Sequence, residues 1–300
     1  LLMIFTIIFP VLVTLFTAFT NYDFNHIPPA SLIDWVGAKN FFSIFFLSSY
    51  RNTFFAVFSW TVIWTLCATT LQITLGILTA VVAHQKFIKF KRIFGIIFLL
   101  PWAVPAFITI MSFSNIFNDS VGAINTQVIP FINQLPFVDI SAISWKTDPN
   151  WTKVAIILVQ GWLGFPYIYV MVTGILQSIS EDLYEAAKID GASKWQTLTR
   201  VTIPNIMPSI TICLFLTITN GFKLFDQNLA LTNGQPFEQL KDGSVIKTTE
   251  MLALNIYNTF YGQSLTGKGV AQAKAVIFFI LVAGISIIQL KATRSKEVQQ

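Results

Sequence analysis

Hydrophobic residues occur in six long blocks separated by polar stretches. A helix needs about 20 mostly apolar residues to cross the hydrocarbon core of a membrane, and each block is long enough to supply them. The pattern predicts an all-α, polytopic membrane protein with six transmembrane helices, a single domain over residues 1–300. The predicted spans are residues 1–20, 54–83, 93–113, 152–176, 205–224 and 270–290.

The composition agrees with this interpretation. Of the 300 residues, 54% are hydrophobic and 11% are charged, whereas soluble domains carry about 25% charged residues. The net charge of +5 does not indicate nucleic-acid binding. In a membrane protein the informative property is which loops hold the Lys and Arg residues.

Basic residues concentrate in three segments: the short loop 84–92, the stretch 181–200, and the tail that starts at Lys291. Short loops rich in Lys and Arg remain on the cytoplasmic side of a membrane. Six spans with both termini in the cytoplasm place all three basic segments on the cytoplasmic side. Residues 21–53, 114–151 and 225–269 then form outer loops, and the last of these is expected to hold a turn followed by a short helix.

The stretch "SEDLYEAAKIDGASKWQTLTRVTIP" is the longest polar, charged segment with helical spacing. Ser180 and an acidic first turn are typical of a helix start, and Gly191 suits the left-handed conformation that ends a helix. A second short helix is expected over 193–200, before Pro204 leads back into the bilayer. Such a helix pair could dock into a protein groove or lie on the lipid surface.

The same stretch carries a family resemblance. Glu185-Ala186-Ala187, then Gly191, then Ile203 with Pro204 resemble the EAA loop of membrane subunits in binding-protein-dependent ABC importers. The resemblance implies the type I importer permease fold, with a coupling loop at about 178–204 that seats in a cleft of an ATPase subunit. It implies that Glu185 pairs with a basic group there and that Gly191 permits the sharp turn. The implied coupling residues are Glu185, Ala186, Ala187, Asp190, Gly191, Ile203 and Pro204.

Further segments are similar to the maltose-type, carbohydrate-importing branch of that family, from about residue 50 to the end. They are "LLPWAVPAFITI", "WLGFPYIYVMVTGILQSISEDLYEAA", "LALTNGQP" and "LKATR". The resemblance implies a permease subunit in a bacterial cytoplasmic membrane that takes up a sugar or oligosaccharide. Its implied partners are a second homologous permease subunit, two ATPase subunits and an extracellular solute-binding protein. ATP and Mg belong to the ATPase subunits, and no cofactor or metal is expected on this chain.

Polar and aromatic residues inside three spans are candidates for a substrate site, because such groups are costly at mid-membrane depth. Gln160, Gly164 and Tyr167 lie on one stripe of the fourth span, and Trp102 and Ala106 lie one turn apart in the third, which Pro101 and Pro105 are expected to bend. The resemblance assigns sugar contacts to several of these positions, although Ala106, Gly221 and Leu224 replace more polar residues of the maltose-type pattern. The glycines could instead serve close helix packing, and Trp102 could be an interfacial anchor. The candidate substrate-binding residues are Trp102, Ala106, Gln160, Leu163, Gly164, Tyr167, Thr217, Asn220, Gly221 and Leu224.

The sequence contains no Gly-x4-Gly-Lys-Ser/Thr pattern, so the chain itself is not expected to cradle ATP phosphates. It also contains no constellation of residues that predicts catalysis, and we expect a transport subunit and not an enzyme. Two alternatives stay open. The chain could be an ABC permease for a non-sugar solute, such as glycerol phosphate or a polyamine. It could also be an ion-coupled secondary transporter, although such a protein would favour charged pairs inside its spans.

Overall fold

A computed structural model of the chain describes residues 2–23, 25, 26, 29, 31–85, 88–262 and 267–297. Lys86, one of the basic residues of the loop 84–92 from which the orientation is predicted, lies outside these ranges. Most of the described chain is helical, so the predicted fold class is confirmed. The helices are α1 (Ile4–Thr17), α2 (Lys39–Phe46), α3 (Ser48–His84), α4 (Lys91–Ala103), α5 (Ala106–Ile116), α6 (124–132), α7 (Pro149–Ser178), α8 (Glu181–Ile189), α9 (Lys194–Lys223), α10 (Asp226–Leu231), α11 (Leu252–Tyr261) and α12 (Lys268–Glu297).

Four helices of the described chain are long and apolar enough to cross a membrane: α3, α7, α9 and α12. The pair α4 and α5 passes the same test together and supplies a fifth span if it is counted as one. The first predicted span corresponds to α1, which is apolar but shorter than a full crossing. The number six therefore remains a prediction, and the multi-pass architecture is established.

The third predicted span is not one helix. Its halves, α4 and α5, meet at an angle of 91°. The break falls at Val104, whose φ of −104° and ψ of 135° are extended. Pro105 explains this conformation, because a proline disfavours the helical region for the residue before it and has no N–H to donate. The bend predicted from Pro101 and Pro105 is therefore present, but Trp102 and Ala106 lie on different helices and not one turn apart on the same one.

The helix predicted over 193–200 is also different in the structure. It continues without interruption into the fifth span, so that α9 runs from Lys194 to Lys223. Residues Leu198–Thr202 form a wider, π-helical turn, in which the N–H of Ile203 donates to the carbonyl of Leu198. A π-turn shifts the hydrogen-bond register locally, directly before Pro204, which has no N–H. The chain thus keeps its helix where Pro204 was expected to separate two elements.

The second and fourth spans, α3 and α7, pack closely along the centre of the molecule. Glycines make the approach possible: a methyl group at Gly76 would overlap Ile168, and one at Gly161 would overlap Leu71. Small residues at such contacts let two backbones approach within a membrane. Residues of α3 belong to three buried apolar clusters, and α7 contributes to the first two. The clusters include Trp64 and Val159, Phe165 and Ile206, and Ile44 and Leu252, respectively.

The segment 225–269, which was predicted to be an outer loop, contains a β-hairpin that the sequence did not predict. Strand β1 (Phe237–Gln239) pairs antiparallel with β2 (Val245–Lys247), and α11 follows, as the expected short helix. A buried polar network joins α11 to α12. The Nζ of Lys274 donates to the Oδ1 of Asn255 at 2.8 Å, and the side-chain amide of Asn255 donates to a Glu250 carboxylate oxygen at 2.7 Å.

Candidate substrate path and coupling surface

Trp102 and the middle of α7 form the centre of the predicted substrate site. The indole Nε1–H of Trp102 donates a hydrogen bond of 3.2 Å to the main-chain carbonyl oxygen of Leu163. The Trp102 and Tyr167 rings lie 6.4 Å apart between centroids at an angle of 32°. Trp102 nevertheless remains 53% exposed. Its ring is therefore held at one edge and open at its face, as stacking on the apolar face of a sugar ring would require.

Gly164 lies at the border between two faces of α7. Successive residues of an α-helix are 100° apart, which places Gly164 between the face that contacts α3 and the face that carries Tyr167. On the α3 side, a methyl group at Gly164 would overlap the side-chain amide of Gln72. Gly161 and Gly164 thus both allow close helix packing in the structure. The sugar-contact role of Gly164 remains a prediction.

The candidate residues of the fifth span do not form one shared surface in the structure. Gly221 is buried against Thr65 of α3, whereas Asn220 is exposed. The hydroxyl of Thr217 donates to the carbonyl of Cys213 in its own helix at 2.7 Å. Leu224 follows the last residue of α9 with an extended ψ of 124°, so it does not continue the helical face shared by the other three. It packs against the buried cluster around Trp64.

The structure links the fourth and fifth spans through a contact that the sequence did not reveal. Tyr167 of α7 packs against the buried cluster that contains Cys213 of α9. Tyr167 therefore lies beside Trp102 of α4 and against a cluster to which α9 contributes. Ala106 and Gln160 are exposed and half-buried, respectively, and their assignment to the site remains a prediction.

The predicted coupling loop has a well-defined turn. The N–H of Ala192 donates to the carbonyl of Ala187 at 2.9 Å, and the N–H of Gly191 donates to that of Lys188 at 3.1 Å. This pair of bonds is the Schellman motif, which places its C′ residue in the left-handed region. Gly191 has φ +74°, as expected. Ser193 and Gln196 then form a reciprocal capping box that starts α9.

The outer face of this turn is apolar and unusually exposed. Ile189 is 86% exposed, and Trp195 and Leu183 are also exposed. Glu185 and Ala186 are exposed beside them, whereas Ala187 is half-buried. Behind the turn lies a cavity of about 770 Å³ between α8, the start of α9 and the ends of α3 and α7. Large exposed hydrophobic residues on a helix with a charged rim are typical of an interaction surface.

Comparison with known proteins agrees with this geometry. The family model described as "Binding-protein-dependent transport system inner membrane component" matches residues 72–294. The maltodextrin transport system permease protein MdxF of Bacillus subtilis (strain 168) is 56% identical over 294 residues, which are 98% of this chain and 67% of that protein. The galactooligosaccharides transport system permease protein GanP of the same strain is 43% identical, over 98% of this chain and 68% of that protein.

One solved structure has the same fold. A chain from the crystal structure of a bacterial ABC transporter involved in the import of the acidic polysaccharide alginate superposes with a TM-score of 0.76. The two chains are 18% identical, and the match covers 98% of this chain and 91% of that one. At this identity the likeness concerns the backbone arrangement and not the substrate.

Proposed function

The chain belongs to the family of binding-protein-dependent transport system inner-membrane components, and we propose from this premise that it forms half of the path of an ATP-driven oligosaccharide importer. The fold is that of a type I importer permease, in a multi-pass protein of the inner membrane. The substrate class we propose is a malto-oligosaccharide. The observation that carries this choice is the similarity to MdxF across 98% of the chain.

The proposed transport cycle depends on partners. A second homologous permease subunit encloses the other half of the path, two ATPase subunits bind Mg and ATP below it, and an extracellular solute-binding protein delivers the sugar. Closure of the ATPase pair pushes on the coupling loops and reorients the path, which is a rigid-body gating change. The exposed face with Glu185 and Ile189 is where this chain would meet an ATPase subunit, and Gly191 holds the turn.

The proposed orientation follows from the same contact. An ATPase subunit works in the cytoplasm, so α8 and the start of α9 lie on the cytoplasmic side. Lys188, Lys194 and Arg200 support this orientation, because cytoplasmic segments are enriched in basic residues. Both termini are then cytoplasmic, and the hairpin β1–β2 lies on the outer side.

The proposed sugar site is the open face of Trp102 with Tyr167. A flat aromatic ring packs on the apolar C–H face of a pyranose, and the surrounding polar groups orient its hydroxyls, as in other ligand pockets. Charged side chains are absent from the contacts that the structure describes around Trp102, Leu163 and Tyr167. This neutrality favours an uncharged sugar over a polyamine or a phosphate ester, and an ion-coupled mechanism would want charged pairs here.

The test is uptake by the reconstituted assembly. The permease pair, the ATPase subunits and the solute-binding protein are placed in liposomes that contain ATP, and entry of radiolabelled maltotriose is measured. We expect ATP-dependent uptake that unlabelled maltotriose competes away and that spermidine and glycerol 3-phosphate do not. ATP hydrolysis without entry of maltotriose would overturn the proposed substrate class.

A further inference from the structure

The second span carries a row of buried polar residues that none of the candidate sites includes. Thr61, Thr65, Thr69 and Gln72 recur at intervals of four, four and three residues, so they lie on one face of α3. All four are buried, and this face packs against α7 and α9. Polar groups inside a membrane span are costly and usually have a function, so the row requires an explanation.

Gln72 carries the one amide of the row; the buried hydroxyl of Thr65, also in the row, likewise lacks a hydrogen-bond partner in the described part of the chain. Gln72 is 5% exposed. Within the described part of the chain, no hydrogen bond links its amide to another group. Thr61, by comparison, donates to Val57 and accepts from the N–H of Leu252. An amide offers two donors and two acceptor positions, and the polar groups of buried residues in native proteins usually have a partner.

The position of the amide identifies what that partner could be. It occupies the notch that Gly164 leaves on α7. The residue before Gly164 is Leu163, whose carbonyl holds the Trp102 indole, and Tyr167 follows one turn later on the adjoining face. Gly164, which has no side chain, is therefore the α7 residue against which the Gln72 amide packs, and it directly follows the residue that accepts the Trp102 hydrogen bond.

We infer that Gln72 is a further sugar-contacting residue, whose side-chain amide reaches past Gly164 and hydrogen-bonds a hydroxyl of the oligosaccharide stacked on Trp102. This inference rests on the proposed function. An amide can donate to one hydroxyl and accept from another, which suits a neutral sugar. It also gives Gly164 a second role, since any larger residue there would displace the amide.

The test uses the reconstituted assembly with Gln72→Met, which keeps the length of the side chain and removes the amide. The readout is the number of maltotriose molecules imported per ATP hydrolysed. We expect a fall of about fivefold to tenfold, the effect of losing one or two hydrogen bonds to an uncharged ligand. Thr70→Val is the matched control: Thr70 lies on the exposed face of the same helix and bonds only within it, so this variant should match the wild type.

Gln72→Asn keeps the amide but withdraws it from the notch by one methylene group. This variant tests the inference if the Gln72→Met complex does not assemble. Its import per ATP should also fall. Wild-type import by an assembled Gln72→Met or Gln72→Asn complex would overturn the inference while leaving the proposed function intact. Failure of the wild-type complex to import maltotriose would instead reject the proposed substrate, and the role of Gln72 with it.

Discussion

The indole N–H of Trp102 is bonded to the carbonyl oxygen of Leu163, 61 residues further along the chain. This bond joins the end of α4, just before the 91° break, to the middle of α7. It uses the only hydrogen-bonding group of the indole, so the ring is oriented by the protein and offers only its face to a ligand. We interpret the bond as the feature that keeps Trp102 in position beside Tyr167.

Two substitutions separate the orienting bond from the stacking surface. Trp102→Phe removes the N–H but keeps an aromatic face, and we expect maltotriose uptake by the reconstituted assembly to fall about fivefold, the worth of one hydrogen bond. Trp102→Ala removes both and should reduce uptake further. Trp162→Phe is the control, because Trp162 lies on the opposite side of α7 and packs on Phe113. Equal uptake by Trp102→Ala and the wild type would place the sugar elsewhere.

The turn at Gly191 allows a sharp test of coupling. Proline at this position has no N–H for the carbonyl of Lys188 and cannot adopt φ +74°, so Gly191→Pro should misplace α8. Gly191→Asn is the matched control, since asparagine tolerates the left-handed region better than other residues. We expect Gly191→Pro to insert normally but to lose uptake, and Gly191→Asn to retain most of it. The measurement is maltotriose uptake together with binding-protein-stimulated ATP hydrolysis.

A substitution of Glu185 tests whether charge on the exposed face of α8 contributes to docking of an ATPase subunit. Glu185 is exposed and has no ion pair within the described part of the chain, so Glu185→Ala should not affect folding. If it meets a basic group of the ATPase subunit, the substitution should weaken co-purification of that subunit and uncouple hydrolysis from uptake. Glu238→Ala, on the exposed strand β1 and away from the coupling loop, controls for a general loss of negative charge. Unchanged uptake and co-purification with Glu185→Ala would count against the docking of this helix.

The predictions from sequence were correct where a single residue determines the local backbone conformation. Gly191 is the left-handed residue of its turn, and Ser193 with Gln196 caps the next helix. The sequence did not predict the conformation where it depends on packing between distant parts of the chain. Pro105 was expected to bend a helix, but the angle depends on what α4 and α5 pack against. Pro204 is accommodated by a π-turn, which no local pattern indicated.

The candidate substrate site shows the same division. Aromatic and glycine positions on α7 were predicted from their helical spacing and from the family resemblance. The role that we propose for α3 was missed, because isolated threonines and one glutamine in a long apolar block have no evident pattern until the packing partner is known. Gln72 was nevertheless visible as a lone amide in the middle of a span, and that signal could have identified it.

The contact between α3 and α7 predicts a difference between two glycines. A methyl group at Gly76 would overlap the β-carbon and a methyl carbon of Ile168 and lie 3.1 Å from the carbonyl oxygen of Phe165. Neither neighbour can move easily, so Gly76→Ala should destabilise the protein by about 1–3 kcal/mol, the usual cost of overpacking. Gly174→Ala is the control, because a methyl group there meets nothing within 4 Å. The melting temperature of the detergent-solubilised complex should fall only for Gly76→Ala; an unchanged melting temperature for Gly76→Ala would show that the packing is looser than described.

The buried network between α11 and α12 predicts that two damaging substitutions partly compensate each other. Lys274 is 4% exposed and Glu250 is 5% exposed, with Asn255 bonded to both. Lys274→Met leaves the Glu250 carboxylate buried without the positive charge that Asn255 links to it, and an uncompensated buried charge is destabilising. Replacing both, in Lys274→Met with Glu250→Gln, removes the uncompensated charge and should recover a large part of that loss. Thermal melting of the four proteins of this double-mutant cycle measures the coupling. Additive losses would mean that the two charges do not interact, and that Asn255 alone holds α11 to α12.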